Sequence, residues 1–211
     1  LPGGDVYEGQ FKDGRREGQG KLAYADGSRY EGGFRDDRRD GRGVFRAADG
    51  HVMEGNWHQG ALVGIGRITY PDKSVYVGMI KDGKPDGRGR IVYADGASYQ
   101  GDWVAGSISG MGRAVYANGQ IYEGAFRDAR PQGIGRMTWP DGQSYQGQWV
   151  QGQRQGFGRA TWPDGSVYGG QYKAGLRHGS AGVAGSGGQD GYRLIAGHFR
   201  QPGRPYPRRR S

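Results

Sequence analysis

Large side chains and glycines alternate along this chain in a pattern that returns every 23 residues, as from Tyr7-Glu8-Gly9 to Tyr30-Glu31-Gly32. Counted with the leading aromatic residue as position 1, eight copies run without insertion from about residue 7 to residue 182. Position 3 is glycine in every copy, and another large residue stands at position 5. This period-two alternation predicts a β-strand with one apolar face.

The second half of each copy carries a similar alternation. Glycines occupy positions 12 and 14 in the first seven copies, and larger residues follow at positions 16 and 18. A three-residue turn such as Pro140-Asp141-Gly142 leads into the next copy, and its glycine suits the positive φ that closes such a turn. Lys73 replaces this glycine in one turn, where we expect strain. Each copy is therefore predicted to form a β-hairpin.

The three-residue turns also set the register between copies. They place position 16 opposite position 1 of the next copy, and the glycines at 14 and 12 opposite positions 3 and 5. We expect each large side chain at position 5 to fill the space that a side chain at 12 or 14 would need. Repeats that pack only against their neighbours build linear arrays. The predicted fold is all-β, an elongated single-layer antiparallel β-meander of about sixteen short strands.

Composition bounds the partners and the chemistry. Hydrophobic residues make up only 34% of the 211-residue chain while glycine contributes 46 residues, which argues against a deep core. A net charge of +9 favours acidic partners, although the solubility of a long exposed sheet explains it equally well. The absence of cysteine excludes disulfides and thiolate chemistry. No apolar run approaches the roughly 20 residues of a membrane-spanning helix.

Three segments of one copy, taken together, resemble a known repeat: Tyr145-Gln146-Gly147-Gln148-Trp149, Gln155-Gly156-Phe157-Gly158 and Pro163-Asp164-Gly165-Ser166. They are similar to the MORN repeat (membrane occupation and recognition nexus), and the in-phase copies extend the likeness over about residues 5 to 182. The resemblance implies one hairpin per repeat and a non-catalytic module that binds proteins or acidic phospholipids. For bacterial look-alikes it implies an immunity role against secreted lipase-type toxins. The departures are Met53, Ile80 and residues 180–182, where the second-strand pattern of repeat eight fades.

Position 15 supplies the first candidate binding residues, because it is arginine in five consecutive repeats: Arg67, Arg90, Arg113, Arg136 and Arg159. Successive members are expected to lie about 9.6 Å apart, two strand spacings. In the predicted register, only Arg113 faces an acid in the next repeat, Glu123. The other four are predicted to lack an opposed acid, which favours an acidic partner. The competing interpretation is weak cross-strand pairing.

The tryptophans at position 5 are the second candidate set, as anchors for a protein partner: Trp57, Trp103 and Trp149. By the alternation they lie on the opposite face from the arginines, so we expect one set to dominate. For any single ring, the competing interpretation is packing within the sheet.

Sequence patterns typical of catalysis are missing. The four histidines (His51, His58, His178 and His198) share no metal-ligand spacing, and no serine stands in a nucleophile-elbow pattern. The recurring Gly-X-Gly lies within predicted strands and leads into no helix, unlike a phosphate loop. We therefore predict no catalytic residue, no metal and no cofactor. A nucleic-acid role is also disfavoured, because basic residues alternate with acids along the repeats.

The chain divides into four predicted regions: a lead (1–6), the repeat array (7–182), a linker with a terminal strand that covers the last sheet edge (183–200), and a disordered Pro- and Arg-rich tail (201–211). The start at Leu1 fits an exported protein that has lost its signal peptide. It fits a trimmed cytoplasmic protein as well. A periplasmic or otherwise exported location is the expectation, with the cytoplasm as the alternative.

The predicted function is non-enzymatic binding of a protein partner with an acidic surface. The most concrete form is an immunity protein that neutralises a secreted lipase-type toxin. One alternative is peripheral binding of anionic phospholipid headgroups by the same arginines and the basic tail. Another is a scaffold that organises an oligomer through end-to-end sheet pairing. The sequence leaves the oligomeric state open.

Overall fold

A computed structural model describes residues 3–184 and 193–195 of the chain. Each repeat supplies a seven-residue strand and then a nine-residue strand, and one short strand follows the array. The strands are β1 Val6–Lys12, β2 Arg15–Ala23, β3 Arg29–Arg35, β4 Arg38–Arg46, β5 Val52–His58, β6 Ala61–Thr69, β7 Val75–Lys81, β8 Lys84–Val92, β9 Ser98–Val104, β10 Ser107–Val115, β11 Ile121–Arg127, β12 Arg130–Thr138, β13 Ser144–Val150, β14 Gln153–Thr161, β15 Val167–Lys173, β16 Leu176–Ala184 and β17 Arg193–Ile195.

Every strand pairs antiparallel with the next one along the chain, which confirms the predicted all-β meander. Although the sequence pattern of repeat eight departs from the others at residues 180–182, β16 pairs with both β15 and β17. Strand β17 falls within the segment predicted to hold a terminal strand, and the predicted tail (201–211) lies outside the described residues. Among the described residues, no helix has the length and apolarity that crossing a membrane requires.

The predicted register between repeats is confirmed residue by residue. On β2 and β3, Leu22 lies opposite Tyr30, Gly20 opposite Gly32, and Gly18 opposite Phe34. The same pairing recurs along the array, so that each position-5 side chain from the second repeat onward faces a glycine of the preceding strand.

The two glycine columns exist for different physical reasons, and one of them was not expected. At position 14, a Cβ added to Gly89 would overlap the Tyr76 ring of the same repeat, not the next repeat's side chain at position 5. At position 12, a Cβ on Gly41 or Gly64 would meet nothing within 4 Å. Those two glycines adopt φ of 84° and 76°, so the backbone conformation requires them. The prediction that a neighbouring ring excludes side chains at position 12 is wrong.

The positive φ at position 12 belongs to a β-bulge inside each hairpin. Between the pairs Gly9–Gly20 and Phe11–Arg16, the first strand has one residue and the second has three. The single residue, at position 4, has a carbonyl that receives a hydrogen bond from the tyrosine hydroxyl at position 1, as from Tyr7 to Gln10 (3.0 Å). This bond recurs in every repeat except the third, which begins with methionine.

The core is a single row of rings lying on the glycine columns. In repeats one, two, five, six and seven, the tyrosine at position 1 packs edge-to-face on the position-5 ring of its own repeat and on that of the next, as Tyr122 does with Phe126 (4.9 Å) and Trp149 (5.3 Å). The row is interrupted at Met53 and Ile80, which have no rings. There Leu62, which is only 1% exposed, contributes to the core instead.

Two kinds of turn connect the strands. The turns between repeats are the predicted three-residue ones, in which the third residue has positive φ. The turns within repeats were not predicted: they have two residues, both with positive φ, such as Asp82 (49°) and Gly83 (76°). Such turns match the twist of the flanking strands, and their signal in the sequence was a glycine as the second turn residue, which six of the eight turns have.

Replacing Lys73 by glycine is expected to stabilise the fold by about 0.5–1 kcal/mol. Lys73 has φ of 73°, and this left-handed conformation costs a non-glycine residue roughly 1 kcal/mol, part of which the greater chain entropy of unfolded glycine offsets. Urea unfolding followed by circular dichroism measures the change. Lys81→Gly is the control: it lies in β7 without positive φ and should lower stability. If Lys73→Gly is destabilising too, strain at that turn is refuted.

Candidate binding face

The alternation gives the sheet two unlike faces. We call the face that carries the tyrosine row the aromatic face; positions 1, 5, 14 and 16 point to it, and most of their large side chains are buried. The other face, to which positions 2, 4, 13, 15 and 17 point, we call the open face. No second layer covers the open face within the described residues, so its side chains are the ones available to a partner.

All five predicted arginines of position 15 lie exposed on the open face, on five alternate strands: Arg67 on β6, Arg90 on β8, Arg113 on β10, Arg136 on β12 and Arg159 on β14. The structure therefore places them in one column, as the spacing predicted. Their role in binding remains a prediction.

The predicted charge environment of this column needs a correction, because every interior strand has two neighbours. The position-15 residue faces position 2 of its own repeat as well as that of the next. Arg67 thus lies opposite Glu54, and Arg136 opposite Glu123. The expectation that these two lack an opposed acid is wrong. The absence of an opposed acid was predicted correctly for two other arginines. Arg90 lies between Val77 and Gln100, and Arg159 lies between Gln146 and Gly169.

Ion pairs leave most of the column unneutralised. Glu123 lies between two arginines but pairs with Arg113, at 3.1 Å. Within the part of the chain that the structure describes, the other four members of the column make no ion pair shorter than 4.0 Å. Four guanidinium groups on one face are therefore free to meet an acidic surface.

The three tryptophans lie in the core of the aromatic face, exposed by only 4%, 5% and 3% for Trp57, Trp103 and Trp149. Each indole N–H donates to the carbonyl of a position-14 glycine, as from Trp149 to Gly135 at 3.0 Å. Both the apolar ring and its polar group are thus satisfied inside the sheet. This burial argues against the predicted anchor role and favours the competing interpretation, packing.

Four further arginines belong to the same packing, and the sequence analysis did not single them out. At position 10 of repeats one, two, seven and eight, an arginine lies over the aromatic row. Arg39 lies 4.3 Å from the Trp57 ring centroid and donates to the Gly60 carbonyl, and Arg154 lies 5.1 Å from Tyr172. Repeats three to six have Leu62, Pro85, Ile108 and Pro131 at this position. These arginines cover the rings and are not free to bind a partner.

The open face also carries exposed apolar side chains that the sequence analysis missed. Position 13 is Met111, Ile134 and Phe157 in repeats five to seven, exposed by 59%, 61% and 67%. Each stands two residues before an arginine of position 15, on the same face of its strand. Ile65 of repeat three stands at the same position and is 72% exposed. The signal in the sequence was an apolar residue between the two glycines of Gly-X-Gly, where repeats one, two and four have Gln19, Arg42 and Arg88.

A shallow basin of about 640 Å³ indents the open face at repeats four and five. Gln100 lies at its centre, between Arg90 and Arg113 on the two flanking strands, and Val77 and Met111 add apolar walls. A third cation in the basin, Arg88, is paired with Asp102 at 3.6 Å. The basin therefore offers two arginines and apolar surface to an incoming side chain.

Two of the three described histidines each have one carboxylate neighbour. His51 lies 2.9 Å from Asp49, and His58 lies 3.3 Å from Asp40. No group of three or more His, Cys, Asp or Glu residues that could hold a metal ion occurs among the described residues. The predicted histidine His198 lies outside them.

A scan against protein-family models matches the MORN repeat over residues 7–29, 30–52, 54–75, 76–98, 99–121, 122–144, 145–167 and 168–181. No match was found among the curated proteins.

Solved structures are similar to this chain at low sequence identity. The wild-type TCP10 domain of Danio rerio CPAP is 17% identical with a TM-score of 0.50, over 87% of this chain and 85% of that chain. The TCP domain of Drosophila melanogaster SAS-4 (dCPAP), solved in complex with a proline-rich motif of Ana2 (dSTIL), is 14% identical with a TM-score of 0.46, over 81% and 86%.

Proposed function

The chain belongs to the MORN-repeat family, and we propose that it is a non-catalytic module that binds a protein partner with an acidic surface through its open face. The observation that carries this proposal is the exposed arginine column, of which Arg90 and Arg159 have no acid on either neighbouring strand. Because folding already uses the aromatic face, the open face is where binding energy is available. Arginine beside apolar surface is typical of protein interfaces.

Neutralising the two unopposed arginines is expected to weaken capture of the partner. We expect Arg90→Gln/Arg159→Gln to lower affinity about tenfold, because each lost contact contributes up to about 1 kcal/mol. Affinity purification from the native source, with quantitative mass spectrometry, identifies the partner, and titration calorimetry with that purified partner then measures the loss. Lys84→Gln/Arg130→Gln is the matched control, since it removes the same charge from exposed hairpin tips. Equal affinities of the two variants would refute the proposal.

A narrower form of the proposal makes the partner a secreted lipase-type toxin and this protein its exported immunity protein. Its support is the family resemblance to bacterial immunity proteins, together with a basic face that suits an acidic enzyme surface. Co-expression with a candidate toxin from a neighbouring gene tests it: growth should be rescued by the wild type and less by Arg90→Gln/Arg159→Gln. A wild type that binds a partner without rescuing growth would retain the broad proposal and exclude the narrow one.

Anionic phospholipid headgroups are the second candidate, favoured by exposed Ile134 and Phe157 beside arginines. We rank this candidate lower because Glu8, Glu31 and Glu54 share the same face and would be repelled by an anionic membrane. Sedimentation with phosphatidylserine vesicles at increasing salt separates the two. Strong, salt-sensitive vesicle binding that is lost in Arg90→Gln/Arg159→Gln would favour the lipid function instead.

A further inference from the structure

The open face changes character along the array. In the first repeats acids balance the cations: Lys21 lies between Glu8 and Glu31 and pairs with Glu31 at 3.2 Å. In repeats four to seven, positions 2 and 15 together hold four arginines and one acid, Glu123. The excess of cations over acids is therefore larger in the later repeats, although the fold is the same throughout and Arg42, Arg46 and Arg67 lie on the same face earlier in the array.

The apolar row occupies the same part of the face. Met111, Ile134 and Phe157 stand on three alternate strands, β10, β12 and β14, in line with one another. Scattered exposed apolar residues are ordinary on protein surfaces. A row of them beside a column of arginines is a regular pattern that a partner with matching apolar and acidic side chains can bind. Repeats five to seven thus present two parallel columns, one apolar and one cationic.

The dimensions of these columns indicate what fits them. Within a strand, positions 13 and 15 are about 6.8 Å apart, and along a column the repeat is about 9.6 Å. An α-helix about 10 Å wide that crosses the strands covers both columns, and its side chains recur every seven residues, about 10.5 Å. An extended strand presents same-face side chains about every 6.8 Å, a spacing that does not match the repeat of about 9.6 Å along the columns.

We propose, resting on the protein-binding function above, that repeats four to seven dock an amphipathic α-helix of the partner that carries an acidic residue once per heptad beside an apolar stripe. The acids meet Arg136 and Arg159, since Arg113 is already paired with Glu123, and the apolar stripe packs on position 13. Charge complementarity selects this occupant, because the cations of this region outnumber its acids on the face. The first three repeats stay outside the contact.

Fluorescence anisotropy with the full chain and synthetic peptides tests the docking. One 28-residue peptide places Glu and Leu in the proposed heptad stripes, a second scrambles the same composition, and a third places Glu at every third residue of a polyproline segment, whose spacing is about 9.3 Å. The first peptide is expected to bind at least tenfold more tightly than the others, and less tightly as salt rises.

Two variants locate the contact. Arg136→Gln/Arg159→Gln and Ile134→Gln/Phe157→Gln should each weaken binding of the helical peptide about tenfold, and Lys84→Gln/Arg130→Gln less than twofold. Unchanged thermal unfolding of these surface variants confirms that they remain folded. Equal binding of the scrambled peptide, tighter binding of the polyproline peptide, or variants without effect would each overturn the proposal.

These experiments distinguish failure of the helix inference from failure of the broader protein-binding function. Capture of the native partner that depends on Arg90 and Arg159, without any binding of the helical peptide, overturns the helix inference and leaves the protein-binding function standing. Binding of phosphatidylserine vesicles that requires Ile134 and Phe157, with no peptide binding, overturns it in favour of a lipid surface.

Discussion

Raising the pH from 9 to 12 is expected to unfold the repeat array. Burial raises the pKa of six tyrosines to about 12: Tyr30, Tyr76, Tyr99, Tyr122, Tyr145 and Tyr172. In the unfolded chain a tyrosine titrates near 10, so between pH 10 and 12 the unfolded state loses protons that the folded state keeps. The free energy of unfolding therefore falls as pH rises, by up to about 1.4 kcal/mol per pH unit for each tyrosine. Two such tyrosines at the full slope already lower the free energy of unfolding by more than about 2 kcal/mol per pH unit.

Urea unfolding at pH 8 to 12, with tyrosinate absorbance recorded in parallel, measures this effect. Tyr122→Phe is the control, because it removes one ionising group and keeps the ring. It should make the pH dependence shallower, while costing about 1 kcal/mol at neutral pH, where Tyr122 donates to the Ala125 carbonyl at 3.0 Å. The chain has 14 tyrosines, so tyrosinate from more than eight of them near pH 10, with circular dichroism still native, would show that the six rings are not shielded.

Replacing Gly112 by alanine is expected to destabilise the fold by about 3 kcal/mol, the upper end of the range for overpacking. The added methyl would overlap the ring and hydroxyl of Tyr99, which is 2% exposed and held between Trp103 and Phe126. Since both neighbours are themselves buried, the ring has no free space into which it can move. Chemical unfolding measures the loss, and hydrogen exchange shows whether it spreads to adjacent repeats, as expected for a linear array.

The control for this substitution is Gly169→Ala, which makes the same change in β15. A Cβ at Gly169 meets nothing within 4 Å, and its φ is not positive. We expect unchanged or slightly higher stability, because alanine loses less chain entropy than glycine on folding. If the two variants lose stability equally, then the entropy and propensity of glycine, and not the fit of the tyrosine ring, explain the position-14 column.

These two predictions bear on function because they show which face the fold needs. Substitutions on the aromatic face should act through stability, whereas those at Arg90 or Arg159 should leave stability unchanged and alter binding. This separation allows binding variants of the open face to be interpreted without a folding defect.

The candidate site was predictable in part. The exposed arginine column followed from the period and the alternation, because arginine recurs at one position of a strand. The acids opposite Arg67 and Arg136 were not predicted, because the sequence argument considered only the strand that follows each arginine. In the structure, the preceding strand supplies Glu54 and Glu123. The tryptophan anchors also looked accessible on a single-layer sheet, until the rings were seen to cover one another.

By itself, the sequence determined the hairpin period, the antiparallel meander and the pairing of Leu22 with Tyr30, since turn length and period-two alternation are local properties of the chain. Only the tertiary structure decided what each glycine is for. Gly112 makes room for a ring that reaches across from the facing strand, whereas Gly64 serves a positive φ at a bulge. Both are glycine in the same motif, and the difference depends on the three-dimensional path of the backbone and on which side chain crosses it.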